Sequence, residues 1–195
     1  ANLSDPIGGI TVTQTDERML IDSGDEREKL LSFVEVVKEK DPDFVLTRGG
    51  DQHLFPYLAR RAAVNDVLNK LILSREDVPV VARQKGGRTF FSYGRSFYRA
   101  PMRRLYGRVH LDETNTFILN ECGLQGLIEI ARTCRVPLHR ASRSSIGSSM
   151  SSLQFYQAVK NDVLIPRNKD IPEAFKSAYE LLVADRGGFV YEPRV

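Results

Sequence analysis

The stretch Asp41-Pro-Asp-Phe-Val-Leu-Thr-Arg-Gly-Gly-Asp-Gln-His-Leu-Phe-Pro-Tyr57 organises this chain. An acidic-proline turn leads into a short apolar run, Phe44 to Leu46, which has the composition of a strand. The glycine pair Gly49-Gly50 follows, and a helix is predicted from about Leu54 to Val64. In α/β folds this order places side chains at the carboxyl end of a strand, where binding and catalytic sites usually form. The sequence therefore predicts a site directly after this strand.

The composition is that of an ordinary globular protein. Of 195 residues, 42% are apolar and 27% are charged, which suits one domain core with or without a connector. No apolar run is long enough to span a membrane and no signal peptide opens the chain, so we expect no membrane partner and a cytoplasmic location. Cys122 and Cys134 lack the spacing of a zinc site, and we expect both to be reduced thiols.

The basic residues are concentrated in one window. The net charge is only +3, yet residues 83–108 contain eight basic residues and no acid, so the rest of the chain is acidic overall. The eight are Arg83, Lys85, Arg88, Arg95, Arg99, Arg103, Arg104 and Arg108. Aromatic residues are interleaved with them; arginine binds phosphate, and aromatic rings stack on unpaired bases. The window predicts DNA binding, but a hairpin with core-facing rings and solvated arginines fits these residues equally well.

The amino-terminal third predicts strands followed by a helix. Ile7–Thr13 and Met19–Ile21 have strand composition and are separated by a turn. Ser23-Gly-Asp-Glu26 has the pattern of a capping box and predicts a helix that ends at Lys40. With the strand and helix of the opening stretch, this alternation predicts an α/β fold.

The remaining sequence predicts a β-rich region and then helices. Residues 78–112 contain several candidate strands, among them Val80-Val81. Asn115 to Val136 has helical periodicity. The serine-rich run Ser142–Ser149 lacks the pattern of a phosphate loop, so we expect its hydroxyls to cap the start of a helix.

The opening stretch closely resembles the second exonuclease motif of family B DNA polymerases. Later segments are similar to the strand that follows this motif, to the exit from the exonuclease domain and to the strand entering the polymerase palm. The segments that carry the resemblance are Lys38–Thr47, Gly50-Asp51, Phe55-Pro-Tyr-Leu58, Gly107-Arg-Val-His-Leu-Asp112, Val136–Gly147 and Gly187–Pro193.

This resemblance implies an RNase H-like domain over residues 1–140, with a mixed sheet and flanking helices. It places a basic β-hairpin insertion at about 78–108 and a helical connector toward the palm at 141–195. It also implies that Arg143 contacts the DNA backbone. The expected partners are DNA, single-stranded or primer-template, and the rest of a polymerase chain, a nucleotide-binding nucleotidyltransferase of DNA replication or repair.

The departures from the family pattern fall where catalysis belongs. Gly49 stands where the family has asparagine, and Leu54 stands where it has a metal-binding aspartate. A leucine cannot ligate Mg²⁺, which takes oxygen ligands. The first motif, D-x-E, does not occur between Ala1 and Ile21, and the third, Y-x-x-x-D, does not occur between Glu113 and Val136. We therefore expect an inactivated homologue, with no catalytic residue or metal in this chain and with Mg²⁺ required only by an intact parent polymerase.

Two alternatives remain open at this point. An active metal-dependent 3′–5′ exonuclease would have to use relocated acids, and Asp51 and Asp112 are the weak residual candidates. A protein-interaction module would dock the basic hairpin on an acidic partner rather than on DNA. The three histidines, His53, His110 and His139, are more simply explained as packed or solvent-facing side chains than as metal ligands.

Overall fold

A computed structural model describes residues 4–81, 86–92, 94–165 and 177–184. The strands are β1 Ile10–Gln14, β2 Glu17–Ile21, β3 Phe44–Thr47, β4 Arg88–Ser92, β5 Arg95–Arg99 and β6 Val109–Asp112. The helices are α1 Glu26–Lys40, α2 Phe55–Val64, α3 Leu119–Cys134, α4 Leu138–Ala141, α5 Ile146–Lys160 and α6 Ala178–Ala184. Helix α3 is interrupted at Gly123, which has φ 64°. The predicted α/β class is confirmed, whereas the segment 187–193 lies outside the described residues.

The strands of the described residues pair two by two. β1 and β2 form an antiparallel hairpin, β4 and β5 form another, and β3 runs parallel to β6. The continuous mixed sheet that we expected does not form among these residues, and its RNase H-like arrangement stays a prediction. The expected strand at Val80-Val81 is wrong: Val80 instead donates its N–H to the carbonyl of Leu71 in an irregular segment. The hairpin predicted within the basic window is formed by β4 and β5.

The N-cap of helix α1 lies two residues later in the chain than the sequence predicted. Asp25, not Ser23, is the N-cap; its carboxylate accepts from Glu28 N–H, and the Glu28 carboxylate accepts from Asp25 N–H. Glu26 is unavailable for capping because its carboxylate is directed at Arg61 of α2, 2.5 Å away. The helix ends at Lys40 as predicted, with Asp41 in the left-handed conformation before Pro42.

Two apolar clusters hold the described fold together. The first joins one face of α1 to α2 and to the segment that follows α2, with Leu30, Phe55 and Leu71 fully buried. The second packs α3 and α4 against β6, with Leu111 and Leu127 at its centre. Burial of one such side chain stabilises the fold by about 1.5–3 kcal/mol. The β3–β6 pair thus lies between the two clusters, with α1 and α2 toward one and α3 toward the other.

An apolar groove separates β1 from β3. Its volume is about 690 Å³, and the whole length of both strands lines it, together with residues of α1 and α2. β1 pairs with β2 and β3 pairs with β6, so the strand edges that face the groove carry no strand partner within the described residues. The groove therefore divides the β-structure of this part of the chain.

By residue contacts the chain divides into two compact units, Ala1–Gln157 and Ala158–Val195. The site described below lies wholly in the first unit. The expected domain boundary at 140/141 stays a prediction. Among the described residues, every helix is too short or too polar to cross a membrane.

Candidate functional site

The turn after β3 brings two carboxylates together below the surface. The parallel register pairs Thr47 with Asp112, so β3 and β6 end at the same edge. Gly49 then adopts the left-handed conformation with φ 79°, and Gly50–Leu54 form a single π-helical turn. This turn directs Asp51 back to the end of β6, and both aspartates are buried. We call Asp51 and Asp112 the buried carboxylate pair.

Both carboxylate oxygens of Asp112 accept hydrogen bonds from the surrounding chain. Oδ1 accepts from the backbone N–H of Gly49 at 2.8 Å and from the N–H and hydroxyl of Thr114 at 3.0 and 2.9 Å. Oδ2 accepts from the N–H of Asp51 at 2.8 Å. Asp112 therefore fixes the turn after β3 to the end of β6, which is a structural role.

The carboxylate of Asp51 is equally occupied. Oδ1 accepts from the backbone N–H of Arg103 at 2.5 Å, and Oδ2 accepts from the side-chain amide of Asn115 at 2.6 Å. Two further groups lie slightly farther away, the Arg143 Nη1 at 3.7 Å and the His110 Nδ1 at 3.6 Å. Asp51 thus joins the turn to the segment after the hairpin and to the start of the α5 region.

His110 is a packed, neutral side chain in this cluster. Nδ1 lies 2.8 Å from the carbonyl of Arg103 and Nε2 lies 2.7 Å from the hydroxyl of Thr47. A carbonyl only accepts, so we assign the proton to Nδ1. Burial lowers the pKa of His110 against the opposing effect of Asp51, which keeps the ring neutral at neutral pH. Gly50 completes the packing, because a Cβ there would lie 2.0 Å from Thr47 Oγ1.

The residues at this edge do not fit the Mg²⁺ ions of an exonuclease. Leu54, where the resemblance led us to expect the family's metal-binding position, is 39% exposed. The oxygens of Asp51 and Asp112 already accept hydrogen bonds from the protein. In the described ranges, no three His, Cys, Asp or Glu side chains are grouped to hold a metal ion. We therefore derive no metal-dependent step from this site.

The basic window divides into buried and exposed arginines, which the sequence did not distinguish. Arg103 and Arg108 are buried. Arg103 Nη1 donates to the carbonyl of Val81 at 2.5 Å, and its Nε donates to the carbonyl of Asp51 at 3.3 Å. Arg108 donates to the Asp41 carboxylate at 2.7 Å and to the Leu73 carbonyl at 3.0 Å. We expected these two arginines to contact phosphate. That expectation is corrected, because both guanidinium groups form hydrogen bonds within the protein.

The other members of the predicted basic set are distributed differently. Arg88, Arg95 and Arg104 are exposed, and Arg99 and Arg143 are half-buried. Arg83 and Lys85 lie outside the described residues. His53 is exposed and His139 is half-buried, so the structure does not gather the three histidines at one place.

Arg88, Arg99 and Arg143 line one open cavity of about 640 Å³ between the β4–β5 hairpin and the start of α5. We call it the arginine cavity. The exposed ring of Phe91 and the ring of Phe117 contribute to its wall. Its other lining residues are Ser144, Ser145, Ile146, Gly147 and Ser148. None of the described residues that line the cavity is acidic.

The positive charges around this cavity repel one another. Arg88 and Arg99 are register partners across the hairpin. Burial, and then the charge of Arg88, lower the pKa of Arg99. Burial lowers the pKa of Arg143 as well, with Asp51 opposing the shift and Arg99 adding to it. Asp51 is the carboxylate that lies near Arg143, with 3.7 Å between Arg143 Nη1 and Asp51 Oδ2.

Several residues that build the site carried no sequence signal of their own. Thr116 Oγ1 and Phe117 N–H both donate to the carbonyl of Ser142 at 2.7 Å, which brings Phe117 beside the start of α5. Asn115 supplies a hydrogen bond to Asp51 at 2.6 Å. The run Thr114–Thr116 follows Asp112 and is rich in side chains that cap turns. This composition is the one sequence signal that could have indicated these supporting residues.

The chain is similar to DNA polymerases of archaea over part of its length. No protein-family model matches it. The DNA polymerase of Thermococcus litoralis is 38% identical over 88 residues, which is 45% of this chain and 4% of that protein. The DNA polymerase of Archaeoglobus fulgidus is 30% identical over 108 residues, which is 55% of this chain and 12% of that protein. The chain thus spans a small part of these curated relatives.

A solved structure shares the fold over most of the chain. The family B DNA polymerase of Pyrobaculum calidifontis aligns with a TM-score of 0.57 and 17% identity, over 89% of this chain and 29% of that chain. At this identity the match supports the fold, while the sequence matches support the relationship. The chain is thus similar in sequence to a part of archaeal DNA polymerases and in fold to a part of a family B DNA polymerase.

Proposed function

We propose that this chain is a catalytically inert, RNase H-like exonuclease domain of a family B polymerase homologue, which contacts DNA and supports the rest of the polymerase chain. The carrying observation is the buried carboxylate pair. Metal-dependent exonucleolysis needs several carboxylates that converge on two ions. Here Asp51 and Asp112 accept hydrogen bonds from backbone and side-chain donors instead.

The former catalytic edge supports the fold in this proposal. Asp112 holds the turn after β3, and Asp51 holds the segment that leaves the basic hairpin. A buried carboxylate with such partners is costly to remove, because the donors would be left unsatisfied. The same carboxylates are therefore poor candidates for ligands that must exchange water and substrate.

The DNA-contacting part of the proposal rests on the exposed arginines. Arg88, Arg95 and Arg104 are exposed, and Arg88 also lines the arginine cavity. Guanidinium groups bind phosphate oxygens in a bidentate manner, and such contacts make binding sensitive to salt. In a whole polymerase this surface would hold DNA near the domain without cutting it.

Nuclease assays test the inert part of the proposal. The purified chain is incubated with end-labelled single-stranded DNA and either Mg²⁺ or Mn²⁺, and degradation is followed on gels. We expect no degradation above that of a protein-free control. Degradation that disappears in the double variant Asp51→Ala, Asp112→Ala would contradict inertness and favour the relocated-acid exonuclease; its folding is checked by circular dichroism.

Gel-shift assays test the DNA-contacting part. We expect a shift at low salt that weakens as salt is added, and that charge reversal at Arg88 and Arg104 abolishes. Both residues are exposed, so reversal leaves the fold intact, unlike reversal at the buried Arg103. No binding to any nucleic acid at low salt would sink this part and leave the protein-interaction module as the explanation of the basic surface.

A further inference from the structure

The chain segments on the two sides of the β4–β5 hairpin meet at one buried carboxylate. We propose that Asp51 is the positioning residue of this hairpin. Asp51 holds the side chains of Asn115 and Arg143 on the Ala100 carbonyl, and without it the hairpin moves as an arm while the rest of the first unit, the body, stays folded. The inference concerns where the hairpin is held, so it does not depend on the DNA contact proposed above.

The exposure of the hairpin changes abruptly at its end. Every side chain that the structure describes between Arg88 and Tyr98 is exposed. Arg99 is half-buried and Ala100 is buried, so close contact with the body begins where β5 ends. The arginine cavity lies open between the hairpin and the start of α5. A two-stranded hairpin without a packed face is only marginally stable, so its position depends on the groups that hold its end.

Two side chains from distant segments hold the end of the hairpin. Asn115 Nδ2 donates to the Ala100 carbonyl at 3.1 Å and to Asp51 Oδ2 at 2.6 Å. Arg143 is placed in the same way: its Nη2 donates to the Ala100 carbonyl at 2.5 Å, and its Nη1 lies 3.7 Å from Asp51 Oδ2. Each side chain therefore connects one carbonyl at the end of the hairpin to one oxygen of Asp51. We call these four residues the hairpin clamp.

The chain on the other side of the hairpin reaches the same residue. Arg103 Nη1 donates to the Val81 carbonyl at 2.5 Å, and Arg103 Nε donates to the Asp51 carbonyl at 3.3 Å. The backbone N–H of Arg103 donates to Asp51 Oδ1 at 2.5 Å. Val81 precedes the hairpin and Arg103 follows it, so Asp51 fixes the chain on both sides of the hairpin.

A carboxylate matches the neighbours of Asp51, whereas an amide of the same shape does not. The two carboxylate oxygens accept from the Arg103 N–H and from Asn115. An asparagine would turn an NH₂ group toward one of these donors. The half-buried guanidinium of Arg143 would also lose its nearby negative charge. We expect it to turn toward water and to leave the Ala100 carbonyl, which opens the hairpin clamp.

Fluorescence of a single tryptophan tests the hairpin clamp. The unmodified chain contains no tryptophan, so Tyr98→Trp places one reporter on the exposed hairpin and Phe44→Trp places a matched reporter on β3 of the body. Time-resolved anisotropy in the full 195-residue chain separates motion of the labelled segment from tumbling of the whole protein. Each reporter is combined with Asp51→Asn or with the control Asp43→Asn, because the Asp43 side chain is 76% exposed.

We expect Asp51→Asn to remove most of the slow component of the anisotropy of the hairpin reporter and to leave the β3 reporter unchanged. Asp43→Asn should change neither reporter. Hydrogen exchange gives a second readout: the amide of Arg103 loses its acceptor in Asp51→Asn and should exchange about tenfold faster. The amides of the buried face of α1 should exchange as they do in the unmodified chain.

A second variant decides the question if circular dichroism shows that Asp51→Asn does not fold. Arg143→Lys keeps the positive charge, but a lysine lacks the planar fork with which the guanidinium reaches two acceptors. We expect this variant to free the hairpin reporter, whereas Arg140→Lys at an exposed position should not. If Asp51 acts through Arg143, then Arg143→Lys should add little further mobility in the Asp51→Asn chain.

Three results would overturn the inference. These are equal changes at both reporters, a hairpin reporter that stays unchanged in every folded clamp variant, and fully additive effects of the two substitutions. The first would show a general loss of packing rather than the release of an arm. The nuclease and gel-shift assays use the unmodified chain and decide the proposed function separately.

Discussion

The buried carboxylate pair and the arginine cavity lie on either side of Arg143, and they use charge in opposite ways. In the buried carboxylate pair, each carboxylate oxygen accepts a hydrogen bond from the protein itself. The negative charges therefore stabilise the fold. At the cavity the charges repel one another and face an open volume. The comparison shows that the charge of a residue does not indicate function until its partners are known.

The same contrast separates neighbouring residues of one segment. Arg103 and Arg104 are adjacent in the sequence, yet the first is buried against carbonyls of Asp51 and Val81 and the second is exposed. A functional surface of this domain must therefore be defined from the unmatched groups. The following predictions test this division, from the largest effect to the smallest.

Removal of Asp51 should be the most damaging change. Asp51→Ala leaves the Arg103 N–H and the Asn115 amide without their acceptor and removes the counter-charge of Arg143. We expect the free energy of unfolding to fall by about 4 kcal/mol. Urea denaturation measures the change, with Asp43→Ala as the matched control because the Asp43 side chain is 76% exposed. A similar, small loss in both variants would show that the carboxylate pair is not a structural centre.

The adjacent arginines should separate stability from binding. Arg103→Ala removes buried hydrogen bonds, and we expect a loss of about 3 kcal/mol in the free energy of unfolding. Arg104→Ala should change stability by less than about 0.5 kcal/mol, but it should weaken the gel shift. Thermal or urea unfolding and the DNA-binding assay are run on both variants. Reversed results would break the division between buried and exposed arginines.

The Glu26–Arg61 ion pair should make stability depend on pH through a second, nearly buried carboxylate. Hydrogen bonds from Arg61, then Asn65 and Ile7 N–H, lower the pKa of Glu26 from 4.5 to about 2. Its stabilising contribution is therefore complete above pH 4.5 and is lost as the pH falls toward 2. Glu26→Gln should cost about 1.5 kcal/mol at neutral pH, and less in acid. Urea unfolding across pH measures this, with the exposed Glu35→Gln as control; a pH-independent difference would contradict it.

His110 should make the carboxylate cluster sensitive to mild acid. Its pKa in the folded chain lies below the ordinary value of 6.5, because the buried ring resists protonation. The unfolded chain then binds the proton first, so stability declines as the pH falls below 6.5, by at most about 1.4 kcal/mol per pH unit. His110→Gln should flatten this decline, and the exposed His53→Gln should not. Identical pH profiles of unfolding for all three proteins would exclude the assignment.

A carboxylate introduced at Leu54, where the resemblance implies a metal-binding aspartate in the family, should have the smallest effect. Leu54 is partly exposed, so Leu54→Asp should change stability by less than about 0.5 kcal/mol. We expect no gain of nuclease activity with Mg²⁺ or Mn²⁺, because the carboxylates of Asp51 and Asp112 would still accept hydrogen bonds from the protein. DNA degradation by this variant above the level of the unmodified chain would show that one carboxylate suffices to revive the site.

The sequence predicted the local elements that carry the carboxylate pair. β3, the glycine turn and α2 follow from an apolar run, two glycines and helical periodicity, all of which act within a few residues. The end of α1 at Lys40 was predicted for the same reason. The capping box was misplaced because Glu26 is drawn to Arg61, a partner 35 residues away. Such long-range competition has no local signature.

The site was harder to predict than the elements. The sequence indicated Asp51, Asp112 and the arginines as candidate site residues. It could not indicate which of their charged groups would form hydrogen bonds or ion pairs inside the protein. Arg108 reaches Asp41 and Leu73 across the fold, whereas Arg88 stays on the hairpin surface. Those outcomes depend on which distant segments come into contact in the folded chain. The pairing of strands two by two, in place of the expected mixed sheet, depends on the same long-range contacts.

The apolar groove has a practical consequence for solution studies of this chain. A strand edge with unpaired N–H and C=O groups is a template for a strand of another molecule. β1 and β3 offer two such edges around one groove, and Leu46 on β3 is exposed beside it. We therefore expect self-association that grows with protein concentration and is weakest in dilute samples. Light scattering over a dilution series measures it, and affinities for DNA are best determined below the concentration at which it begins.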